Sequence, residues 1–307
     1  MQHRDKMRLV QWKNVFINTF NDVNNNHTLA FAAGLSYYFI MGLFPALIAL
    51  GAVVTYLPIP NLFDQILGVM ARVVPPDSMG LIRQIVLDII SPNRGKLLSF
   101  GLLGTIWAVS SGFAAMIEAL NVAYNVPETR SILKTRLISI GLSFAVGTLF
   151  LAALIAMLLG PQFGEWMADK LHVSRVYAIV WPYLRWVITI AFIVFGVEVL
   201  YFVAPNVKQR FRCTLYGAVI AVAAWIGLSY LLGLYIRHFA NFNKTYGTLG
   251  AAIALMVWLY WTGFAILLGG EVNSEVLQET GGGKLPLKQP PPQSVTPKPA
   301  TSADIAA

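Results

Sequence analysis

The sequence predicts an all-α membrane protein with six transmembrane helices. Hydrophobic residues make up 57% of the chain and charged residues 12%, whereas soluble domains have roughly half and a quarter. Six continuous apolar stretches reach the roughly 20 residues that a helix needs to cross the hydrocarbon core. They lack the alternation that marks membrane β-strands. The predicted spans are residues 28–57, 97–117, 138–160, 179–203, 214–236 and 248–270.

The segments outside the spans are short. Residues 1–27 are polar and are expected to be a cytoplasmic segment, with the six-helix domain over 28–275. The tail at 276–307 becomes rich in Gly and Pro and is expected to be disordered and cytoplasmic. The first loop has apolar residues at helical spacing on both sides of Pro75 and Pro76. It predicts two amphipathic helices, the second capped by Asp77 or Ser78, which either lie at the outer membrane surface or cover a cavity mouth.

The net charge of +8 has a topological explanation. Lys and Arg in short loops mark the cytoplasmic side of a membrane protein. They are concentrated in the N-terminal segment and in the second and fourth loops, which lie on one side of the membrane. Both termini are therefore predicted to be cytoplasmic, and no nucleic-acid partner is needed to explain the charge. The basic residues of the two loops are Arg130, Lys134, Arg136, Lys208, Arg210 and Arg212.

The first two spans contain residues that are unusual in lipid. Pro45 removes the backbone hydrogen bond to the carbonyl four residues earlier, which predicts a kink near Met41 and Gly42. Such a kink either fits a long helix into the bilayer or opens a broken helix toward a cavity. In the second span, the hydroxyls of Ser110 and Ser111 are expected to bond to their own helix or to a neighbour.

Three acids occur at the predicted cytoplasmic ends of spans. They are Glu118, Glu198 and Glu271, and Glu198 lies one to two turns inside its span. A carboxylate at a helix C-terminus requires a compensating cation or donor. One interpretation is that the acids form ion pairs with loops; the other is that they face a cavity and bind a proton, a cation or a cationic headgroup. The expected basic partners are Arg130, Arg136, Lys208, Arg210 and Arg212, with an arginine predicted for Glu271.

Four blocks of sequence resemble the YihY/BrkB family of bacterial inner-membrane proteins. They read AAGLSYYFIMGLFPALI, WAVSSGFAAMIEALNVAYNV, LYFVAPNVKQRFR and YGTLGAAIALMVWLYWTGFAILLGGEVNSE, and they cover nearly all of residues 27–275. Gly42 and Gly270 replace a serine and an alanine that are frequent in the family. The resemblance implies an inner-membrane protein that handles lipid or envelope material, with no settled substrate. The matching positions are Tyr37, Pro45, Glu118, Asn121, Tyr124, Tyr201, Pro205, Asn206, Gly247 and Glu271.

Two classes of function remain open. The protein is either a transporter or lipid translocator with a polar cavity, or a membrane scaffold or envelope assembly factor. An older family label is ribonuclease, but the four histidines are scattered along the chain, and metal-dependent cleavage requires gathered ligands. No catalytic residue, metal site, cofactor or nucleic-acid partner is expected. The expected partner is the lipid bilayer, including anionic lipids, and homo-oligomerisation is left open.

Overall fold

The computed structural model describes residues 11–55, 76–90, 95–171, 174–239 and 248–280, and six isolated positions between 64 and 74. Within these residues the chain forms helices and no strand, which confirms the all-α prediction. The helices are α1 Trp12–Asn25, α2 Thr28–Thr55, α3 Pro76–Ile90, α4 Gly95–Ala123, α5 Ile132–Leu171, α6 Ser174–Val203, α7 Phe211–Phe239 and α8 Thr248–Thr280.

Six of these helices are long and apolar enough to cross a membrane, as predicted: α2, α4, α5, α6, α7 and α8. The second span ends later than expected, because its apolar stretch continues through Ala123. A left-handed residue then stops the helix at Asn125, with φ of 53°. The amides of Asn125 and Val126 donate to the carbonyls of Val122 and Asn121, both at 2.9 Å, which is the Schellman pattern of helix termination.

The spanning helices form a closed ring. Each spanning helix contacts the next one along the chain, in the order α2, α4, α5, α6, α7, α8, and α8 contacts α2 to close the ring. Helix α8 also contacts α1, α3 and α4, so it is the most connected element of the described chain. The main apolar core draws residues from all six spanning helices, and it includes the fully buried Leu120, Tyr201 and Leu267.

Helix α1 was not predicted, since its segment is polar on average. Its buried residues Val15, Thr19 and Asp22 recur at helical spacing, and Val15 packs against Val272 and Val276 of α8. The opposite face exposes several large apolar side chains: Phe16, Ile17 and Phe20. The helix therefore turns a partly polar face toward the bundle and an apolar face outward.

The second helix of the first loop forms, as α3, and begins at Pro76. The predicted cap is wrong, because residues 77 and 78 lie inside the helix, and the Ser78 hydroxyl donates to the carbonyl of Ala251 at 3.1 Å. The interfacial position of α3 stays a prediction. The first predicted amphipathic helix, at 62–70, falls largely outside the described residues, whereas α8 extends through Thr280, past the predicted start of the tail.

Candidate functional site at the basic end of the bundle

Most of the predicted site residues gather at one end of the ring, here called the basic end. At this end α4 is followed by the turn to α5, α6 by the turn to α7, and α8 completes its last three turns. Hydrogen bonds link these turns to one another and link α8 to α1. The basic end carries Arg130, Lys208, Arg210 and Arg212.

A polar clamp joins the two turns. Arg130 donates twice to the Glu128 carboxylate, at 2.8 and 2.6 Å, and once to the carbonyl of Ala204 at 2.8 Å. Asn121 bridges the same groups: its amide nitrogen donates to Glu128 at 2.9 Å, and its oxygen accepts the backbone N–H of Asn206 at 2.7 Å. Because Arg130 binds Glu128 in its own turn and Ala204 in the other, it fixes the α4–α5 turn against the α6–α7 turn.

The clamp changes the protonation behaviour of its acid. The Arg130 side chain, the Arg130 backbone N–H and the Asn121 amide all donate to Glu128, and they lower its carboxyl pKa to about 2. The Arg130 hydrogen bonds are the largest cause, and burial opposes them. Glu128 is therefore ionised throughout the physiological range, and the clamp is a permanent structural connection.

Helices α7 and α8 cross at very short range below the clamp. A methyl group on Gly217 would lie 2.1 Å from the carbonyl oxygen of Gly269, and one on Gly269 would lie 2.5 Å from that of Gly217. Tyr201 is fully buried beside this crossing, and its hydroxyl donates to the carbonyl of Ile266. Asn273 closes the contact by accepting from the Gly217 amide at 2.7 Å and donating to the Thr214 carbonyl at 3.0 Å.

Glu271 lies fully buried at the opposite side of α8. The Thr28 hydroxyl donates to its carboxylate at 2.9 Å, and the Asn26 amide donates to both oxygens at 3.1 Å. These donors are neutral groups from the α1–α2 junction. Arg130 binds Glu128, and an arginine partner for Glu271 stays a prediction. A shallow crevice between α2, α4 and α8 adjoins the carboxylate.

Glu271 begins a row of acids that secures α1. Glu275 and Glu279 follow at intervals of four residues, which places them on the same face of α8. Asn18 donates to Glu275 at 2.8 Å, and the backbone N–H of Gln11 donates to Glu279 at 2.9 Å. The acid row therefore connects α8 to Asn18 of α1 and to Gln11, the residue before it.

Glu198 is the acid with the least polar surroundings. Only 6% of its surface is exposed, and it lies within the described span Tyr183–Val203. No hydrogen bond or ion pair to its carboxylate occurs in the described part of the chain, in contrast to Glu128. Phe195 and Phe202, three residues before and four after, share its helix face.

The serine pair and Arg136 form a separate contact. Both hydroxyls bond back to the carbonyl of Trp107 in their own helix, Ser110 at 3.1 Å and Ser111 at 2.7 Å. Arg136 donates to Ser111 at 3.1 Å, and its guanidinium lies 4.1 Å from the centre of the Trp107 ring. Arg136 therefore binds a hydroxyl and an aromatic face instead of an acid, joining α4 to α5.

The remaining predicted residues lie outside any common cavity. Tyr37 and Glu118 are exposed, and Tyr124 is fully buried against Ala123 and Leu277. Pro45 lies inside the continuous helix α2, where its carbonyl accepts from Thr105 at 2.8 Å; the kink stays a prediction. Gly247 falls outside the described residues.

Comparison with known proteins decides the family. The model of the family described as "Virulence factor BrkB" matches residues 19–293, a range that contains every residue of the clamp, the crossing and the acid row. The chain belongs to the BrkB family. The ribonuclease-like protein YfkH of Bacillus subtilis is 37% identical over 79% of this chain and 88% of its own length. No solved structure matches the chain significantly.

Other BrkB relatives are named only as membrane proteins. A UPF0761 membrane protein of Tolumonas auensis is 26% identical over 79% of this chain and 78% of its own length. Another, from Stenotrophomonas maltophilia, is 24% identical over 89% of this chain but only 62% of its own length. The ribonuclease-like name belongs to the relative. Among the described residues of this BrkB protein, no group of three His, Cys, Asp or Glu side chains is placed to hold a metal ion.

Several residues of the site were missed in the sequence, including Asn26, Thr28, Glu128, Asn273 and Glu275. Asn26 lies just before the first predicted span and Thr28 begins it, whereas Asn273 and Glu275 lie just after the last one. The usable signal was the spacing of Glu271, Glu275 and Glu279, which predicts one polar stripe along an extended α8. Its partner on α1 could be found only from the three-dimensional packing.

Proposed function

We propose that this BrkB-family protein is a transporter that translocates lipid or lipid-linked envelope material. The observation that carries the proposal is Glu198, a buried carboxylate inside a span with no polar partner among the described residues. An ionisable group at membrane depth is energetically costly, and such groups commonly mark substrate or ion pathways. Glu128 and Glu271, in contrast, already have protein donors.

The basic end offers a suitable entrance for a phospholipid. Lys208, Arg210 and Arg212 are exposed next to the start of α7, and phosphate oxygens are good acceptors for such cations. The negatively charged surface of the cytoplasmic leaflet would attract these basic residues and hold them next to the lipid headgroups. A lipid held at this loop is close in sequence and in space to the end of α6, where Glu198 lies.

A scaffold is the second candidate, and the polar clamp favours it. Asn121, Glu128, Arg130 and Asn206 are fully used in holding two turns together. Tyr201 is likewise used in joining α6 to α8, and Asn273 in joining α7 to α8. These contacts suit a rigid assembly platform as well as the fixed part of a transporter. The two candidates differ in the expected effect of changing Glu198.

The test is lipid translocation by the purified full-length chain in vesicles. Vesicles of phosphatidylethanolamine and phosphatidylglycerol would carry a trace of fluorescent lipid, whose transfer between leaflets is followed by quenching from outside. The transporter proposal expects faster transfer with the wild-type chain than with empty vesicles. It also expects Glu198→Gln to lose that increase, whereas Glu118→Gln, a matched change at an exposed acid of another span, keeps it.

Abundance and thermal stability of each variant must be measured alongside. Loss of transfer in a Glu198→Gln protein that is as stable as wild type supports the transporter. Transfer equal to empty vesicles for a stable wild-type chain would contradict lipid translocation and favour the scaffold. Unchanged transfer in Glu198→Gln would remove Glu198 from the pathway.

A further inference from the structure

We propose that Glu198 binds the primary ammonium of a zwitterionic phospholipid headgroup, inside an aromatic cage formed by Phe195, Phe202 and Phe211. This inference rests on the proposed lipid-handling function and names the class of lipid. The phosphate of the same headgroup would lie at the basic residues that flank Phe211.

The three aromatic residues form one connected group at the turns of α6 that carry Glu198. The ring of Phe211, the first residue of α7, lies 6.1 Å from the ring of Phe195 and 5.3 Å from that of Phe202, with interplanar angles of 66° and 75°. Phe195 and Phe202 precede and follow Glu198 by one turn of α6. Phe211 therefore spans the stretch of helix surface from which Glu198 projects.

The group is open on its outer side. Phe195, Phe202 and Phe211 are 45%, 40% and 37% exposed, whereas Glu198 is 6% exposed. The rings alone would be an ordinary lipid-facing surface. A carboxylate on the same helix face as these rings is instead the composition of a cation site, because aromatic rings attract ammonium groups and the carboxylate supplies the countercharge.

A primary ammonium fits this acid better than other cationic groups. The buried carboxylate needs hydrogen-bond donors, and an ammonium of the ethanolamine type has three, as lysine does. A trimethylated ammonium has none and offers only charge and methyl contacts to the rings. A purely anionic headgroup such as phosphoglycerol would place further negative charge beside Glu198.

The phosphate half of the headgroup has its own partners. Arg210 and Arg212 flank Phe211 in sequence, Lys208 lies just before them, and all three are exposed. Glu198 lies five residues before the end of α6 at Val203, which is roughly 7.5 Å along a helix. A headgroup that enters from the basic end with its amine leading would reach Glu198 while its phosphate remains at the basic residues.

The test measures which lipid the protein retains. Full-length chain would be reconstituted into equimolar phosphatidylethanolamine and phosphatidylglycerol and extracted into polymer discs, and the lipid ratio would be determined by mass spectrometry against discs of bulk membrane. We expect the discs of the wild-type chain to contain more phosphatidylethanolamine than the bulk ratio, with the lipid at the site preferring ethanolamine roughly threefold or more, the size of a single cation–π contribution. Glu198→Gln and Phe211→Leu should bring the ratio to the bulk value.

Two matched controls separate the site from general lipid contact. Glu118→Gln removes an exposed acid, and Phe16→Leu removes an exposed aromatic residue of α1; both should keep the enrichment. A wild-type ratio equal to bulk, enrichment that persists in Glu198→Gln, or equal enrichment when phosphatidylcholine replaces phosphatidylethanolamine would overturn the proposal.

The outcomes for the site and for the function can be told apart. Translocation without any headgroup preference would keep the proposed function and overturn this site. Ethanolamine-lipid enrichment without translocation would support the site in a protein that binds lipid for another purpose.

Discussion

Glu271 and Glu198 are both buried acids near the basic end, but their surroundings give them different roles. The carboxylate of Glu271 accepts hydrogen bonds from Asn26 and Thr28, which begin the first span. These bonds connect α8 with the α1–α2 junction across 243 residues or more of sequence. Glu271 is therefore a structural acid, whereas the aromatic surroundings of Glu198 suit a ligand.

The role of Glu271 predicts a stability loss when a donor is removed. Thr28→Val keeps the shape of the side chain but removes the hydroxyl that donates to the carboxylate, and an acceptor left short of donors in a buried position costs about 1–3 kcal/mol. The measurement is the midpoint of thermal unfolding in detergent. Thr189→Val is the control, since that hydroxyl only bonds back to its own helix. Equal midpoints for the two variants would show that Thr28 contributes nothing.

The clamp predicts a pH dependence with a defined direction. Because the pKa of Glu128 is lowered from 4.5 to about 2, the folded state favours its ionised form. The clamp's contribution is thus complete above about pH 4.5 and is lost as pH falls toward 2. Thermal midpoints of wild type and Glu128→Gln should differ at pH 7, and the difference should shrink below pH 4.5 and vanish as pH falls to about 2. A constant difference over that range would contradict the ion-pair account.

Among the elements, the crossing of α7 and α8 has the strictest steric requirement. Gly217 and Gly269 face each other so closely that either methyl group would meet backbone oxygen, and backbone can move only if the helices separate. Separation would also break the hydrogen bonds between Asn273 of α8 and the backbone of α7 at Gly217 and Thr214. The two glycines are needed for close approach, as small residues are in membrane helix packing.

The crossing predicts that Gly217→Ala abolishes the folded protein or lowers its unfolding midpoint strongly, since overpacking against backbone costs about 1–3 kcal/mol or more. Gly227→Ala is a matched change two to three turns further along α7, where a methyl group would meet nothing within 4 Å. It should be neutral or slightly stabilising because alanine favours the helix. Fluorescence-detected size exclusion of both variants provides the comparison. Normal behaviour of Gly217→Ala would disprove the tight crossing.

The six spanning helices were predictable because each consists of a continuous run of apolar residues in the sequence. Helix α1 was not, because its apolar residues point outward and its inner face is polar, which reverses the usual amphipathic pattern. Its helical state depends on contacts such as Asn18 with Glu275, which are 257 residues apart. Propensity and periodicity report on neighbours in sequence, so a helix stabilised by a distant acid row is invisible to them.

For the whole molecule, the sequence predicted which end of the bundle the acidic and basic residues occupy better than it predicted which of them bind each other. Arg130 binds Glu128, Arg136 binds Ser111 and Trp107, and Glu271 binds Asn26 and Thr28. The end at which a residue lies follows from counting spans. Its partner depends on the rotation of each helix about its axis, which apolar composition in a lipid-facing bundle constrains weakly.

The orientation of this end toward the cytoplasm is the remaining prediction. Basic loop residues favour the inside, so Lys134, exposed at the start of α5, should be cytoplasmic, and Gln84, exposed on α3 at the other end, should be external. Single cysteines at these positions, in a Cys213→Ser background, would be labelled with a membrane-impermeant thiol reagent in intact spheroplasts. We expect Gln84→Cys to react at once and Lys134→Cys to react only after permeabilisation. The reverse pattern would place the basic end outside and would put Glu198 in the outer leaflet.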